Sequence, residues 1–488
     1  MSDVAFRAAV DLASMVRNQE ISALELADIY IDRIERLDGE INAVVVRDFE
    51  RARAAARVAD ARLAAGDTVG PLHGVPMTIK ESYDVGGLPT TWGIPVFKDN
   101  VATRDAEVVA RLKQAGAVFL GKTNVPFSLA DFQSYNDIYG ITRNPWDLGR
   151  TPGGSSGGSA AALAAGLTGL ECGSDIGGSI RNPAHYCGVY GHKPTWGIVP
   201  PQGHGLPGMV AGPDIAVCGP LARSADDLAL AMDIIAGPEP LDATGWQLRL
   251  PPPKISLREY RIALWPTDAY APVDAEVADR VVALGARLAR SGATVSDTAR
   301  PAFDVEESCV TYLSLLNAIM GAALREEDRA RLQAHADAAS PADRSHETVS
   351  ARGCVLSHRE WLMHDNARER LRYAWAGLLR RVGHPALSAN GHRGLPARPH
   401  THQQPDAAGQ RGRAALLPAA LLGGVDHGTV SPEHGIPDRA VTCRATDRRA
   451  SRRGGVSRPD DNGTGAPAGE RAGRIPASAG LRMSGGRP

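Results

Sequence analysis

The chain is poor in the features that mark several large classes of protein. Its 488 residues hold six cysteines, Cys172, Cys187, Cys218, Cys309, Cys354 and Cys443, with no CxxC pair among them. That pattern argues against a disulfide framework or a cysteine zinc site and reads as reduced, partly buried thiols. No apolar run approaches the 18 or so residues of a membrane span. The N-terminus has no basic stretch leading into an apolar one. We therefore expect a cytoplasmic protein with no membrane partner. The formal net charge is −1, too near zero for a nucleic-acid partner. Hydrophobic residues make up 43%, enough for a sizeable core.

One absence is regional. All seven Phe, ten Tyr and seven Trp lie before residue 376. Residues 376–488 hold 19 Gly, 11 Pro, 17 Arg, eight acids and no Lys. A segment with no aromatic residue and this much Gly, Pro and Arg is poor in core-forming side chains and reads as disordered.

What the sequence does have is concentrated between Gly153 and Arg181, GGSSGGSAAALAAGLTGLECGSDIGGSIR. Ser155 and Ser179 are both glycine-flanked, and Lys80 lies upstream in GVPMTIKES. A serine hydroxyl is a weak nucleophile until a base takes its proton. A desolvated lysine can be neutral and act as that base. Glycines before Ser179 let a substrate carbonyl approach backbone N–H groups that can hold an oxyanion. Two other readings fail. A phosphate-binding Walker loop needs Gly-Lys-Ser/Thr after its glycines, and Ser-Ala-Ala follows here. Gly153–Gly157 fits G-x-S-x-G, but that nucleophile elbow needs a preceding strand, and NPWDLGRTP is turn-like.

The segments GPLHGVPMTIKES, GKTNVP, TPGGSSGGSAAALAAG, GSDIGGSIRNPA and GHKPTWG together resemble the amidase signature family, over roughly residues 8–375. The resemblance implies hydrolysis of a small-molecule carboxylic amide through an acyl-enzyme, with no metal and no organic cofactor. It makes Ser179 the nucleophile, Ser155 a bridging serine on a cis peptide bond, and Lys80 the base. The N–H groups of Ile176, Gly177, Gly178 and Ser179 match the oxyanion hole, and Leu129 matches an acyl-pocket residue. Asp175 and Arg181 read as a charge pair bracing the nucleophile loop. His185, His192 and His204 lack metal-ligand spacing and read as structural.

Taken in order, residues 3–66 read as helices, one begun by a Ser22/Glu25 capping box and another over Arg47–Ala65. Val75–Ile79 is a buried strand delivering Lys80. Asp105–Gln114 is a helix capped by Asp105, and Ala117–Gly121 the next strand. Lys122 is given a structural role. Phe132, Tyr135 and Tyr139 fit either the core or the cleft. Ser156–Ala165 is a small-residue helix, Thr168–Gly173 a strand, and 195–220 a Gly/Pro-rich loop. A helix over Ser224–Ala236, an exposed excursion at 238–253, a strand at Arg261–Trp265 and a helix at Val273–Ser291 follow. Residues 304–380 read as helical. The alternation predicts a single α/β domain with a mixed central sheet covered by helices on both faces.

The expected organisation is a catalytic domain over 1–380, comprising N-terminal helices to 66, a core over 67–240 and a substrate-pocket region over 241–380. An aberrant tail over 381–488 follows. The family continues past residue 380 with core strands that this tail does not match. A shifted reading frame beginning near 380–395 accounts for that, with a native Arg-rich tail as the alternative. Two further readings stay open. One is the amidase subunit of a tRNA-dependent amidotransferase, which needs partner subunits and glutamine. The other is a non-catalytic or misfolded product. A homodimer is compatible with the sequence.

Overall fold

The computed structural model describes residues 4–382 and 384–387, all within one structural unit. Cys443 and the tail reading beyond 387 lie outside the described residues.

The chain begins with α1 (Ala9–Arg17) and α2 (Ala23–Ile41). Ser22 starts α2 as its sequence suggests. Its hydroxyl accepts the Glu25 N–H (3.1 Å), and the Glu25 carboxylate accepts the Ser22 N–H (2.9 Å). The stripe Leu26, Ala27, Tyr30, Ile31 and Ile34 is fully buried. Asn42, in the left-handed conformation, ends the helix. A short strand then separates α2 from the next helix in a stretch read as helices alone: β1 (Val44–Arg47), followed by α3 (Phe49–Ala64). Arg47, expected to open that helix, instead closes the strand. β1 exists because it pairs antiparallel with a strand that comes some 75 residues later, a partner no local window contains.

β2 (Pro76–Lys80), α4 (Glu107–Gln114) and β3 (Val118–Thr123) form a parallel β–α–β unit, and the sheet order is β1-β3-β2. Asp105 does not cap α4. Its carboxylate accepts the Gly86 N–H (2.9 Å) and pairs with Lys113 (2.8 Å), while Ala106 occupies the cap position. After a hairpin of two short strands, β4 (Tyr135–Asn136) and β5 (Gly140–Ile141), comes the buried α5 (Gly157–Ala164).

Next come β6 (Glu171–Asp175), α6 (Arg181–Cys187), β7 (Tyr190–Gly191), β8 (Val217–Ala222) and α7 (Ala225–Ile235). β6 starts three residues later than the expected strand. β8 lies largely inside the stretch read as loop. It is the central strand of an antiparallel β6-β8-β7 sheet, and its Gly-Pro pair hides it from a residue-type reading. The two sheets meet where β2 lies beside the approach to β6. The Gly169 N–H donates to Pro76 O (3.0 Å), and the Thr78 N–H to Thr168 Oγ1 (2.9 Å). The main core is filled by α1, α2, α3, α4, α5 and α7 packed on these strands.

The remainder is β9 (Arg261–Leu264), α8 (Ala275–Arg290), β10 (Thr294–Ser296), α9 (Val305–Gly321), α10 (Glu326–Ala338), α11 (His346–Cys354), α12 (His358–Val382) and β11 (His384–Leu387). β9 is flanked by β10 and β11, both parallel to it. Residues 376–382 and 384–387, read from composition as part of a disordered tail, instead finish α12 and form β11, because β9 offers an edge to pair with. Helices α9 and α12 contribute Tyr312, Leu315 and Leu371 to a small apolar cluster with Ile215 and Ile176. That cluster sets the helical region directly on the loop carrying Ser179. Among the described residues no helix is long and apolar enough to cross a membrane.

Candidate active site

Lys80 ends β2 and is fully buried. Its Nζ lies 2.6 Å from Ser155 Oγ and 2.9 Å from Ser174 Oγ. Burial pushes its pKa down to about 7, against the opposing pull of Asp175, Cys218 and Glu171. A second buried lysine shows that burial alone does not make a site. Lys122 is pushed down to about 8 by burial, with Glu81 opposing. Its Nζ donates to Pro89 O and to Thr90 Oγ1 (3.0 Å), and Glu81 accepts the N–H groups of Thr91 and Trp92 (2.7 and 2.9 Å). Lys122 therefore braces the 89–92 segment and reaches neither serine.

Ser155 follows a cis peptide bond from Gly154. A side chain at 154 would have nowhere to go, because its Cβ would run into Asp131 O. The Gly154 N–H donates to Asn182 Oδ1 (3.2 Å), which ties this turn to α6.

Ser179 sits on the loop between β6 and α6. Asp175 organises that loop from below. Its carboxylate accepts the N–H groups of Gly178 (2.8 Å) and Ile180 (3.0 Å) and both Nε and a terminal nitrogen of Arg181 (3.1 and 2.8 Å). Burial raises the Asp175 pKa, but the Arg181 charge and these hydrogen bonds outweigh it and hold the carboxyl below the usual range. Gly178 has φ +114°, a conformation costly for any other residue. The Gly178 carbonyl accepts the Asn182 N–H (2.7 Å), and the Ser179 carbonyl accepts the Ser156 N–H (3.1 Å). The second bond places the two serine segments side by side.

The loop donors differ from the expected set in one respect. The Gly178 N–H is taken by Asp175 and so is not available to a substrate oxygen. Among the described hydrogen bonds, none uses the N–H of Ile176, Gly177 or Ser179. Leu129 lies half-buried in a short turn, Phe127–Leu129, where it and Ser128 have φ of +57° and +53°. Phe132 approaches the loop itself: a Cβ on Gly178 would stand 3.6 Å from its ring. Tyr139 belongs to the bracing cluster instead, its hydroxyl donating to Glu81 (3.2 Å).

Two residues of the site escape a reading of the sequence. Ser174 is the second partner of Lys80, and only its place next to Asp175 on β6 could have drawn attention to it. Tyr312, from α9, donates to Ile176 O (3.3 Å), and nothing in the helical pattern singles it out. His204 is buried and bonds Ser82 Oγ (3.0 Å). Burial, helped by Lys80, holds its pKa near 3, and it packs on Tyr83 and Trp92. Among the described residues no group of three or more His, Cys, Asp or Glu is placed to hold a metal.

Fold and site together define an α/β protein in which a buried lysine–serine pair stands beside a glycine-lined serine loop. Residues 25–389 match the family model described as Amidase, and the chain belongs to that family. It is 42% identical over 256 residues to a glutamyl-tRNA(Gln) amidotransferase subunit from Moorella thermoacetica, covering 52% of this chain and 50% of that protein. It is 43% identical over 236 residues to an acylamidase of Rhodococcus erythropolis, covering 48% of each. The chain thus spans about half the length of the curated relatives it matches. Among solved structures, 6-aminohexanoate cyclic dimer hydrolase complexed with substrate aligns with a TM-score of 0.62 and 28% identity, over 76% of this chain and 78% of that one.

Proposed function

We propose that this chain hydrolyses a carboxylic amide to an acid and ammonia or an amine, with Ser179 as nucleophile. The observation that carries the reading is Lys80, buried, held 2.6 Å from Ser155 Oγ and depressed to about 7. A neutral amine has two N–H groups and one lone pair. With Ser174 accepting one N–H, the lone pair is left for the Ser155 proton. Ser155 in turn takes the proton of Ser179 as the Ser179 Oγ bonds to the amide carbon. The carbonyl oxygen becomes an oxyanion facing the N–H groups of Ile176, Gly177 and Ser179. The proton returns through Ser155 to the leaving nitrogen, the C–N bond breaks, and water cleaves the acyl ester by the same path in reverse. Asp175 and Arg181 hold the loop, and Leu129 and Phe132 flank the acyl group.

A fluorophosphonate probe tests this. It should attach to Ser179 in the wild type and not in Ser179→Ala. Labelling elsewhere, or none on folded protein, would refute the assignment.

The likeness to the amidotransferase subunit favours a second reading, in which the amide is glutamine and the ammonia is passed on within a complex. Glutaminase activity that appears only with added partner subunits would select it. Hydrolysis of simple amides by the chain alone would select the first.

A further inference from the structure

Resting on that reading, we infer that Tyr312 is a positioning residue for the oxyanion site, acting through the peptide unit between Ile176 and Gly177. In a trans peptide the C=O and N–H point in opposite directions. Whatever fixes the Ile176 carbonyl therefore aims the Gly177 N–H. The neighbouring units of the loop are fixed from within the catalytic core: one through the Gly178 N–H on Asp175, the next through the Gly178 carbonyl on Asn182, and the third through the Ser179 carbonyl on Ser156. The Ile176–Gly177 unit has its described hydrogen bond from a different part of the chain. The Tyr312 hydroxyl, on α9, donates to Ile176 O at 3.3 Å.

The surroundings hold that hydroxyl in place. The Tyr312 ring is 7% exposed and packs with Ile215, Leu315 and Leu371. A Cβ on Gly177 would stand 2.6 Å from the Tyr312 oxygen. The hydroxyl fills the space that a side chain at 177 would take, so the glycine and the tyrosine are fitted to each other. At 3.3 Å the bond is long for O–H···O. It should tighten as negative charge develops on an oxygen held by the Gly177 N–H, because bonds on the two ends of one amide polarise each other. Its effect then falls on the transition state, on kcat rather than KM.

The test uses the full chain and two variants. Tyr312→Phe removes the hydroxyl and keeps the ring; Tyr312→Leu removes both. Tyr312→Phe should lower kcat about 3- to 10-fold, the worth of one such hydrogen bond. KM should stay within about twofold and the melting temperature should fall much less than in Tyr312→Leu. Affinity for a trifluoromethyl ketone analogue of the substrate should fall by the same factor as kcat. Tyr312→Leu should lower kcat similarly and also lower the melting temperature.

A further readout does not depend on activity. Ile176–Gly177 is the chain's sole Ile-Gly pair, so carbonyl-13C isoleucine with 15N-glycine gives one cross-peak, from the Gly177 amide. Tyr312→Phe should move it. An unmoved peak, an unchanged kcat in Tyr312→Phe, or a loss that appears only in Tyr312→Leu together with a lower melting temperature would overturn the inference. Failure of the wild type to label at Ser179 would instead count against the proposed function, and the Gly177 resonance would then decide the role of Tyr312 alone.

Discussion

Lys80→Met removes the charge of Lys80 while keeping the length of its side chain, and it separates a lysine held for chemistry from one held for stability. The wild-type lysine falls from 10.5 to about 7 on folding. Between those values the unfolded chain binds a proton that the folded chain does not, so wild-type stability rises with pH across that window. Below pH 7 both forms are protonated and the full cost of burying the charge applies, about 5 kcal/mol at 1.36 kcal/mol per pKa unit. Integrated over the two titrations, the cost is about 4 kcal/mol at pH 7 and about 2 kcal/mol at pH 9. Lys80→Met has no such titration. Its stability relative to wild type should therefore decline by about 2 kcal/mol between pH 7 and pH 9. Ser155 and Ser174 lose a partner in the variant, but that offset does not depend on pH and cancels in the comparison. Urea titrations of both proteins at the two pH values measure the difference. The same lysine should make wild-type probe labelling rise through about pH 7 and level off above it. A stability difference that does not change with pH, or labelling that keeps climbing tenfold per pH unit above pH 9, would mean that Lys80 is charged in the folded protein and would refute its role as base.

Two further substitutions probe the groups around that lysine. Ser174→Ala leaves a buried Lys80 N–H without its acceptor, at about 1–3 kcal/mol. Probe labelling should slow about tenfold, less than in Ser155→Ala, and equal rates in wild type and Ser174→Ala would show that Ser174 does not hold the lysine. Asp175→Asn removes the buried carboxylate that pairs with Arg181, itself 9% exposed, and the expected loss is about 3–5 kcal/mol. A thermal melt should show it as a clear drop, and an unchanged melting temperature would mean that the pair does not brace the loop.

Much of the site can be read in the sequence because its requirements are local. Gly154 is needed where backbone crowds backbone and Gly178 where φ is +114°, and the serines they flank are displayed by the same turns. Ser22 with Glu25, and Ser224 opening α7 with its hydroxyl accepting the Asp227 N–H (3.0 Å), are likewise settled within four residues. Asp105 shows the limit of such rules. It has a capping residue type just before the helix, yet Ala106 takes the cap position and the Asp105 carboxylate bonds Gly86 and Lys113 instead.

Tertiary structure decided the rest. β1 and β8 are strands only because distant strands pair with them. Lys80 and Lys122 both end short apolar runs, and without the family resemblance the local pattern cannot say which burial leads to a serine and which to a backbone carbonyl. That difference arises from the β2–β6 contact, which brings Ser155 and Ser174 onto Lys80 from 75 and 94 residues away. Tyr312 reaches Ile176 across 136 residues. The residue types fixed the chemistry available to this chain, since a serine, a lysine and a bare amide each have one set of donors and acceptors. Only the packed sheet supplied the desolvation that lowers the lysine and the distances that let those groups meet, because both depend on what surrounds a side chain rather than on what it is.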